Sequence, residues 1–236
     1  DIGKVDLARE RFFENINRKK KGLEELPLDK KFEKAVHMEV YNSTMRLLKR
    51  LIKVAPVYTI LGNVADTPDY LARRENEQKG LKLPLIRKGM NSIKGVNIVR
   101  NQIRNLGGLR IGFLEYFLDD CWVKEFKPSD YKDALKNAIK ETGKSKKILK
   151  WFDKVDILVC HQPPYGILDK VTWKAVPKHW LGKHAGSKII LDYIKKKKPR
   201  WVFCGHIHEG KGKKKIGKTE IYNMGCEGNY SIIEID

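Results

Sequence analysis

Trp201-Val202-Phe203-Cys204-Gly205-His206-Ile207-His208 is the stretch on which the reading of the fold turns. A short, continuous apolar run stops abruptly at a glycine and two histidines placed at i and i+2. A run of this length and β-branched, aromatic character predicts a strand buried on both faces. Histidines two apart cannot share a face of a helix, but in a turn just beyond a strand both can point at one ligand cluster. Gly205 lets the backbone bend sharply at that point. Taken alone, the H-x-H pair is a weak sign of a metal; satisfied histidines in an ordinary turn fit it too.

The same pattern recurs toward the N-terminus. Val155-Asp156-Ile157-Leu158-Val159-Cys160 predicts a strand that runs into His161-Gln162-Pro163-Pro164. Val57-Tyr58-Thr59-Ile60-Leu61, opened by Pro56, predicts another that runs into Gly62-Asn63. Apolar spacing predicts helices over 4–21, 29–53, 68–79, 129–152 and 186–198, with Pro68 suited to a first helical turn. Val96–Ile103 and Leu109–Phe113, joined through Gly107-Gly108, read as strands, as do 216–223 and 230–235. Strands alternating with helices predict an α/β fold, in which sites form where loops converge beyond the carboxyl ends of the strands. Asn63, His161, His206 and His208 are therefore expected at one end of one sheet. Imidazole suits Zn, Mn, Fe or Ni, and an amide oxygen adds a hard donor.

Composition narrows the class. Of 236 residues 41% are hydrophobic, with 5 Trp, 8 Phe and 9 Tyr, enough to bury a core and to exclude wholesale disorder. No apolar run approaches the roughly 18 residues of a membrane-spanning helix, so no membrane partner is expected. The first residues carry no basic region followed by an apolar one, so no signal peptide is read. Cys121, Cys160, Cys204 and Cys226 are far apart, and two lie within apolar runs. The expectation is a reduced, cytoplasmic chain without disulfides. Lys and Arg total 49 against 29 Asp and Glu, a net charge of +20. This suits a polyanion such as nucleic acid, but equally a lysine-rich surface charged for stability. The lysine runs at 19–21, 195–198 and 213–215 are scattered and carry no interleaved aromatics.

Gly62-Asn63, His161 and Gly205-His206-Ile207-His208, in this order and each after an apolar run, resemble the calcineurin-like metallophosphoesterases. That family's pattern runs D-x-H, G-D, G-N-H-[DE], H, G-H-x-H. The resemblance implies a four-layer α/β/β/α sandwich of two mixed sheets with flanking helices, as a single domain over residues 1–236. It also implies two divalent metal ions (Mn, Fe, Ni or Zn). Asn63, His161 and His206 would be ligands of one ion and His208 of the other, while Asp1 is similar to the G-D aspartate that bridges both. The implied chemistry is hydrolysis of a phosphoester by hydroxide activated between the two ions.

Two departures shape the expectation. No D-x-H precedes Asp1, so the first strand of the family pattern is expected to be missing from these residues. Val64 stands where the family has its catalytic histidine, and Ala65 where a carboxylate orients it. A general acid of that kind contributes roughly 10²–10⁴-fold. Its loss hurts poor leaving groups most, so phosphodiesters are expected ahead of monoesters. Asp66 reads either as a substitute acid or as a solvated loop residue.

Around these motifs, Tyr165 is a candidate to stack on a substrate ring or simply to pack its loop. His184 and His179 are candidate substrate contacts or surface histidines. Ser187 is a candidate phosphate contact or an ordinary helix cap. His37, in a helical pattern, reads as structural. The segment Phe113–Trp122, aromatic and acidic, reads as a lid or a partner surface. The expected partner is a small phosphoester or nucleotide, with nucleic acid a further candidate. A nuclease and a catalytically degenerate metal-binding scaffold are the competing readings. The sequence leaves the oligomeric state unspecified.

Overall fold

The computed structural model describes residues 3–126, 132–174, 176–226 and 228–234. Two compact units divide the chain between Ile98 and Val99. Each carries its own sheet and helices, giving a mixed α/β architecture of two sheets with flanking helices, the class expected.

In the first unit, helices α1 (Asp6–Lys20) and α2 (Lys30–Leu51) precede strand β1 (Val57–Thr59). Asp29 starts α2 by accepting the Phe32 amide at 2.7 Å, which satisfies one of the unpaired N–H groups of a helix start. Val40, Met45 and Leu48 recur at helical spacing on its buried face and pack with Leu61, Ile86, Met90 and Ile93. Helices α3 (Asn63–Lys79) and α4 (Ile86–Asn91) follow, and then β2 (Val96–Ile98), parallel to β1. The buried Asp69 carboxylate accepts the Ile86 and Arg87 amides, placing negative charge at the start of α4. His37 lies on the buried side of α2, its Nε2 2.6 Å from the Pro84 carbonyl oxygen, the structural role its pattern suggested.

The second unit holds a six-stranded sheet of order β3-β4-β5-β6-β8-β7. Its strands are β3 (Gln102–Leu106), β4 (Leu109–Leu114), β5 (Ile157–Cys160), β6 (Trp201–Cys204), β7 (Gly212–Ile216) and β8 (Thr219–Asn223). β4, β5, β6 and β8 are mutually parallel, with β3 and β7 antiparallel at the two edges. Helices α5 (Asp120–Phe126), α6 (Lys132–Phe152) and α7 (Lys188–Lys197) complete the unit. Leu114, Leu149, Phe152, Leu158, Ile190, Val202 and Ile221 fill the core. Gly112 lets β4 meet α6, since a Cβ there would lie 2.8 Å from the Phe152 ring. At edge strand β7, Lys213 and Lys215 both pair with Glu220 at 2.9 Å. Charge on an edge strand discourages strand-to-strand association, a use for that lysine run unrelated to nucleic acid.

Several boundaries differ from the sequence expectation. The helix expected at 68 begins at Asn63, so Pro68 falls in its second turn, and Asn63 is the first residue of a helix. Gly62, extended at its start, supplies the sharp entry. The expected strand Val96–Ile103 is two strands of different sheets, parted by a bend in which Asn101 takes φ 50°. The expected strand 216–223 is the second half of a β7–β8 hairpin that turns at Gly217 (φ 58°). No strand is formed at 230–234, where alternation is too short to pair.

Candidate metal centre

Parallel strands put their carboxyl ends on one edge, and the polar residues of the second unit gather there. β4 runs into Glu115-Tyr116, β5 into His161, β6 into Gly205-His206 and β8 ends at Asn223. The Gly205 amide donates to the His161 carbonyl oxygen at 3.0 Å, extending the β5–β6 ladder by one rung past both strands. His206 then takes φ 68°, in the left-handed region that a non-glycine residue enters at a cost of about 1–3 kcal/mol. The Ile207 amide closes back on the Gly205 carbonyl oxygen at 2.8 Å, a three-residue turn with His206 at its apex. This strained turn swings the His206 imidazole toward β5. Its Nδ1 lies 3.1 Å from His161 Nε2, with ring centroids 4.8 Å apart.

Asn223, buried at the end of β8, braces the turn. Its Nδ2 donates to the carbonyl oxygens of Leu168 at 2.8 Å and Ile207 at 2.9 Å, and its Oδ1 accepts the Gly225 amide at 2.9 Å. Gly210 lies so close to Leu168 that a Cβ would come 1.9 Å from the Leu168 carbonyl oxygen. Tyr116 lies against both imidazoles, with ring centroids 5.5 Å from His161 and 5.9 Å from His206.

Burial pushes both imidazoles below the ordinary histidine range. His206 falls to about 4, and His161, which His206 and His208 also disfavour as a cation, falls further. Both are therefore neutral near pH 7 and each offers a lone pair. Two nitrogens 3.1 Å apart fit one divalent ion held at the roughly 2.1 Å of a metal–imidazole bond with a near-right angle between the bonds. Separation, neutrality and donor type together fit the metal that the G-H-x-H pattern suggested. His208 is exposed, and its nitrogens do not come within 4.8 Å of both other histidines.

Asn63 lies in the first unit, at the start of α3. Asp1 lies outside the described residues, and of Val64 and Asp66 the helical backbone alone is described. Ser187 is fully buried and caps α7, its Oγ accepting the Ile190 amide at 3.5 Å, so the structure gives it a helix-start role. Tyr165 and His184 come together with ring centroids 5.6 Å apart on loops that meet through the bridge Pro164–Ser187. The segment 113–122 contributes Tyr116 to the histidine pair and Trp122 to a stack on Phe126.

Sequence reading missed Tyr116, Asp169 and Asn223. The strand-end rule that found His161, applied to β4 and β8, points to Tyr116 and Asn223. Asp169 had no comparable signal, being a loop residue whose partners are distant in sequence.

The neutral imidazoles give a pH prediction. Their folded values lie below the roughly 6.5 of an unfolded chain. Their contribution is fully present above pH 6.5. It is lost as pH falls toward 4, because the unfolded chain takes up protons that the folded chain refuses. Urea unfolding of the metal-free protein is expected to lose on the order of 2–4 kcal/mol between pH 7 and 4.5. A flat profile over that range contradicts the assignment.

Residues 124–236 match a family model described as metallophosphoesterase, calcineurin superfamily. The resemblance carried by His161 and the G-H-x-H turn thus holds in the part of the chain where those residues lie. Metallophosphoesterase domain-containing protein 1 of Homo sapiens is 40% identical over 78 residues, 32% of this chain. The Mus musculus protein of the same name matches equally. The match spans 22% of the length of these curated relatives. One solved structure, 12% identical, superposes over 95% of this chain and 77% of its own with a TM-score of 0.50, a likeness of fold.

Proposed function

We propose that this chain is a metal-dependent phosphoesterase that favours phosphodiesters over monoesters. The observation that carries the reading is the neutral pair of buried His161 and half-buried His206, converging at 3.1 Å from adjacent strand ends. Divalent ions bound there would supply charge neutralisation for phosphoryl oxygens and acidify water. His161 and His206 are the ligand pair of one ion in this reading and His208 a ligand of a second. Asn63 and Asp1 join the set on the family resemblance alone. The chain's own part is to hold these nitrogens fixed, through the γ-type turn and Asn223, so that binding costs little reorganisation. Tyr116 lies against both rings of the pair. Valine at position 64, where the family pattern has its catalytic histidine, has no proton to give, which favours substrates whose leaving group needs little help.

Hydrolysis of bis(p-nitrophenyl) phosphate with added Mn²⁺ is expected, at a higher kcat/KM than for p-nitrophenyl phosphate, and it should vanish on chelation. A metal-binding protein with neither activity is the scaffold outcome and overturns the reading. Loss of Mn²⁺ binding in Asn63→Ala tests whether Asn63 belongs to the ligand set. The net charge of +20 is the observation behind a nuclease reading. Cleavage of single- or double-stranded DNA, with an affinity that falls steeply as salt rises, would favour it.

A further inference from the structure

Beyond the histidine pair, the second unit contains another engaged imidazole. Asp169 is 1% exposed, a buried carboxylate with a full set of donors. Its Oδ2 accepts the amides of Gly166 and Gly186, each at 2.9 Å. Its Oδ1 lies 2.7 Å from Nδ1 of His184. The two amides fix the carboxylate, and the carboxylate fixes the ring, leaving Nε2 as the nitrogen that can meet a ligand. The His184 side chain is 40% exposed while that of Asp169 is 0% exposed, so a buried anion orients an accessible imidazole. Gly186 is needed for this approach, because a Cβ would lie 2.8 Å from Asp169 Oδ2 and 2.7 Å from Pro164 backbone atoms.

The dyad is tied to the metal pair by backbone. Tyr165, whose ring lies 5.6 Å from that of His184, belongs to the turn that begins at His161. Leu168, next to Asp169, is held by Asn223, which also holds the His206 turn through Ile207. The charged and titratable groups around His184 are Asp169, Tyr165, Lys170 across the bridge Lys170–His184, and Lys188, whose Nζ lies 5.0 Å from the Tyr165 centroid. Asp169 holds the His184 ring through Nδ1, and the lysines favour an anionic substrate beside it.

Resting on the phosphoesterase reading, we propose that His184 is the proton donor to the leaving group, with Asp169 as its positioning residue, filling from another loop the role that Val64 leaves open. As a water oxygen bonds to phosphorus and gives up one proton to solvent, the phosphorus–oxygen bond to the leaving group breaks and its electron pair stays on the departing oxygen. That oxygen takes the proton from His184 Nε2, and the neutral imidazole regains one from solvent. Asp169 holds the ring through Nδ1 throughout.

The test uses the Mn²⁺-loaded full chain and two methyl aryl phosphodiesters, one with p-nitrophenyl and one with phenyl as leaving group. His184→Ala is expected to lower kcat about 100-fold for the phenyl ester and less than about 3-fold for p-nitrophenyl, whose oxygen needs no proton. Asp169→Asn, close in shape, is expected to show the same selectivity with a smaller loss. Equal losses on both esters, or none, overturn the proposal while leaving the phosphoesterase reading intact. If the parent hydrolyses neither ester, the phosphoesterase reading fails, and the proton-donor role fails with it. Titration with inorganic phosphate, followed by the His184 ring ¹⁵N signals, supplies a readout independent of turnover. A saturable shift at Nε2 supports contact with a phosphoryl oxygen, and no shift removes it.

Discussion

Alanine in place of His161 is expected to weaken binding of Mn²⁺ or Zn²⁺ by more than about 100-fold, the upper end of what losing an outer-shell partner costs. His161 sits 6% exposed at the end of β5, its Nε2 3.1 Å from His206 Nδ1. Hydrolysis should fall with the metal. The same pair carries a second, sharper expectation. Two ordinary histidines would release about 1.5 protons on binding a metal at pH 6, because each is mostly protonated there. Burial holds His161 and His206 neutral at that pH, so they have almost no proton to release. Calorimetry of metal binding in buffers of different ionisation enthalpy measures that number. Near-zero release together with an affinity lost in His161→Ala supports a pre-formed neutral pair. Unchanged affinity in the variant, or release of more than one proton, sinks it.

The strand-end histidines were legible because a buried parallel strand is a continuous apolar run, and the residue just past its carboxyl end is forced to the sheet edge. His161 and His206 announced themselves in this way, as did the α/β class. The breaks were less visible. Val96–Ile103 reads as one apolar run, yet it parts at Asn101, where a left-handed residue ends one pairing and starts another. The start of α3 was displaced because Pro68 resembles a first-turn proline, while the glycine at 62 set the entry. The His184–Asp169 dyad was half legible. The histidine stood out by type, but its carboxylate was one acid among many until the fold brought residues 166, 169, 184 and 186 together. Close approaches of this kind depend on what is absent, such as a side chain at Gly186 or Gly210, and the sequence does not say what a missing Cβ would have struck.

Asn223→Ala is the substitution expected to do most harm to the fold while touching no metal ligand. Asn223 is 2% exposed, and one amide group closes three loops. Alanine leaves the Leu168 and Ile207 carbonyl oxygens and the Gly225 amide without this partner. An unsatisfied buried polar group costs about 1–3 kcal/mol, and partial relaxation into solvent brings the sum to about 2–4 kcal/mol. For a chain of this size that is a fall in Tm of about 5–15 °C. Asn223→Asp separates the contributions. Aspartate keeps the acceptor for Gly225 but loses both donations, and it puts a carboxylate against two carbonyl oxygens, so it should be at least as damaging. The functional consequence comes from the strain at His206. A residue held at φ 68° stays there only while its surroundings enforce it, and the bond from Asn223 to Ile207 is part of that enforcement. With the bond gone the turn can relax, His206 Nδ1 drifts from His161, and metal affinity is expected to fall about 10–100-fold. Thermal melting with and without Mn²⁺ reads both effects. A variant that melts lower yet binds metal as the parent does would show that the turn holds its shape without Asn223.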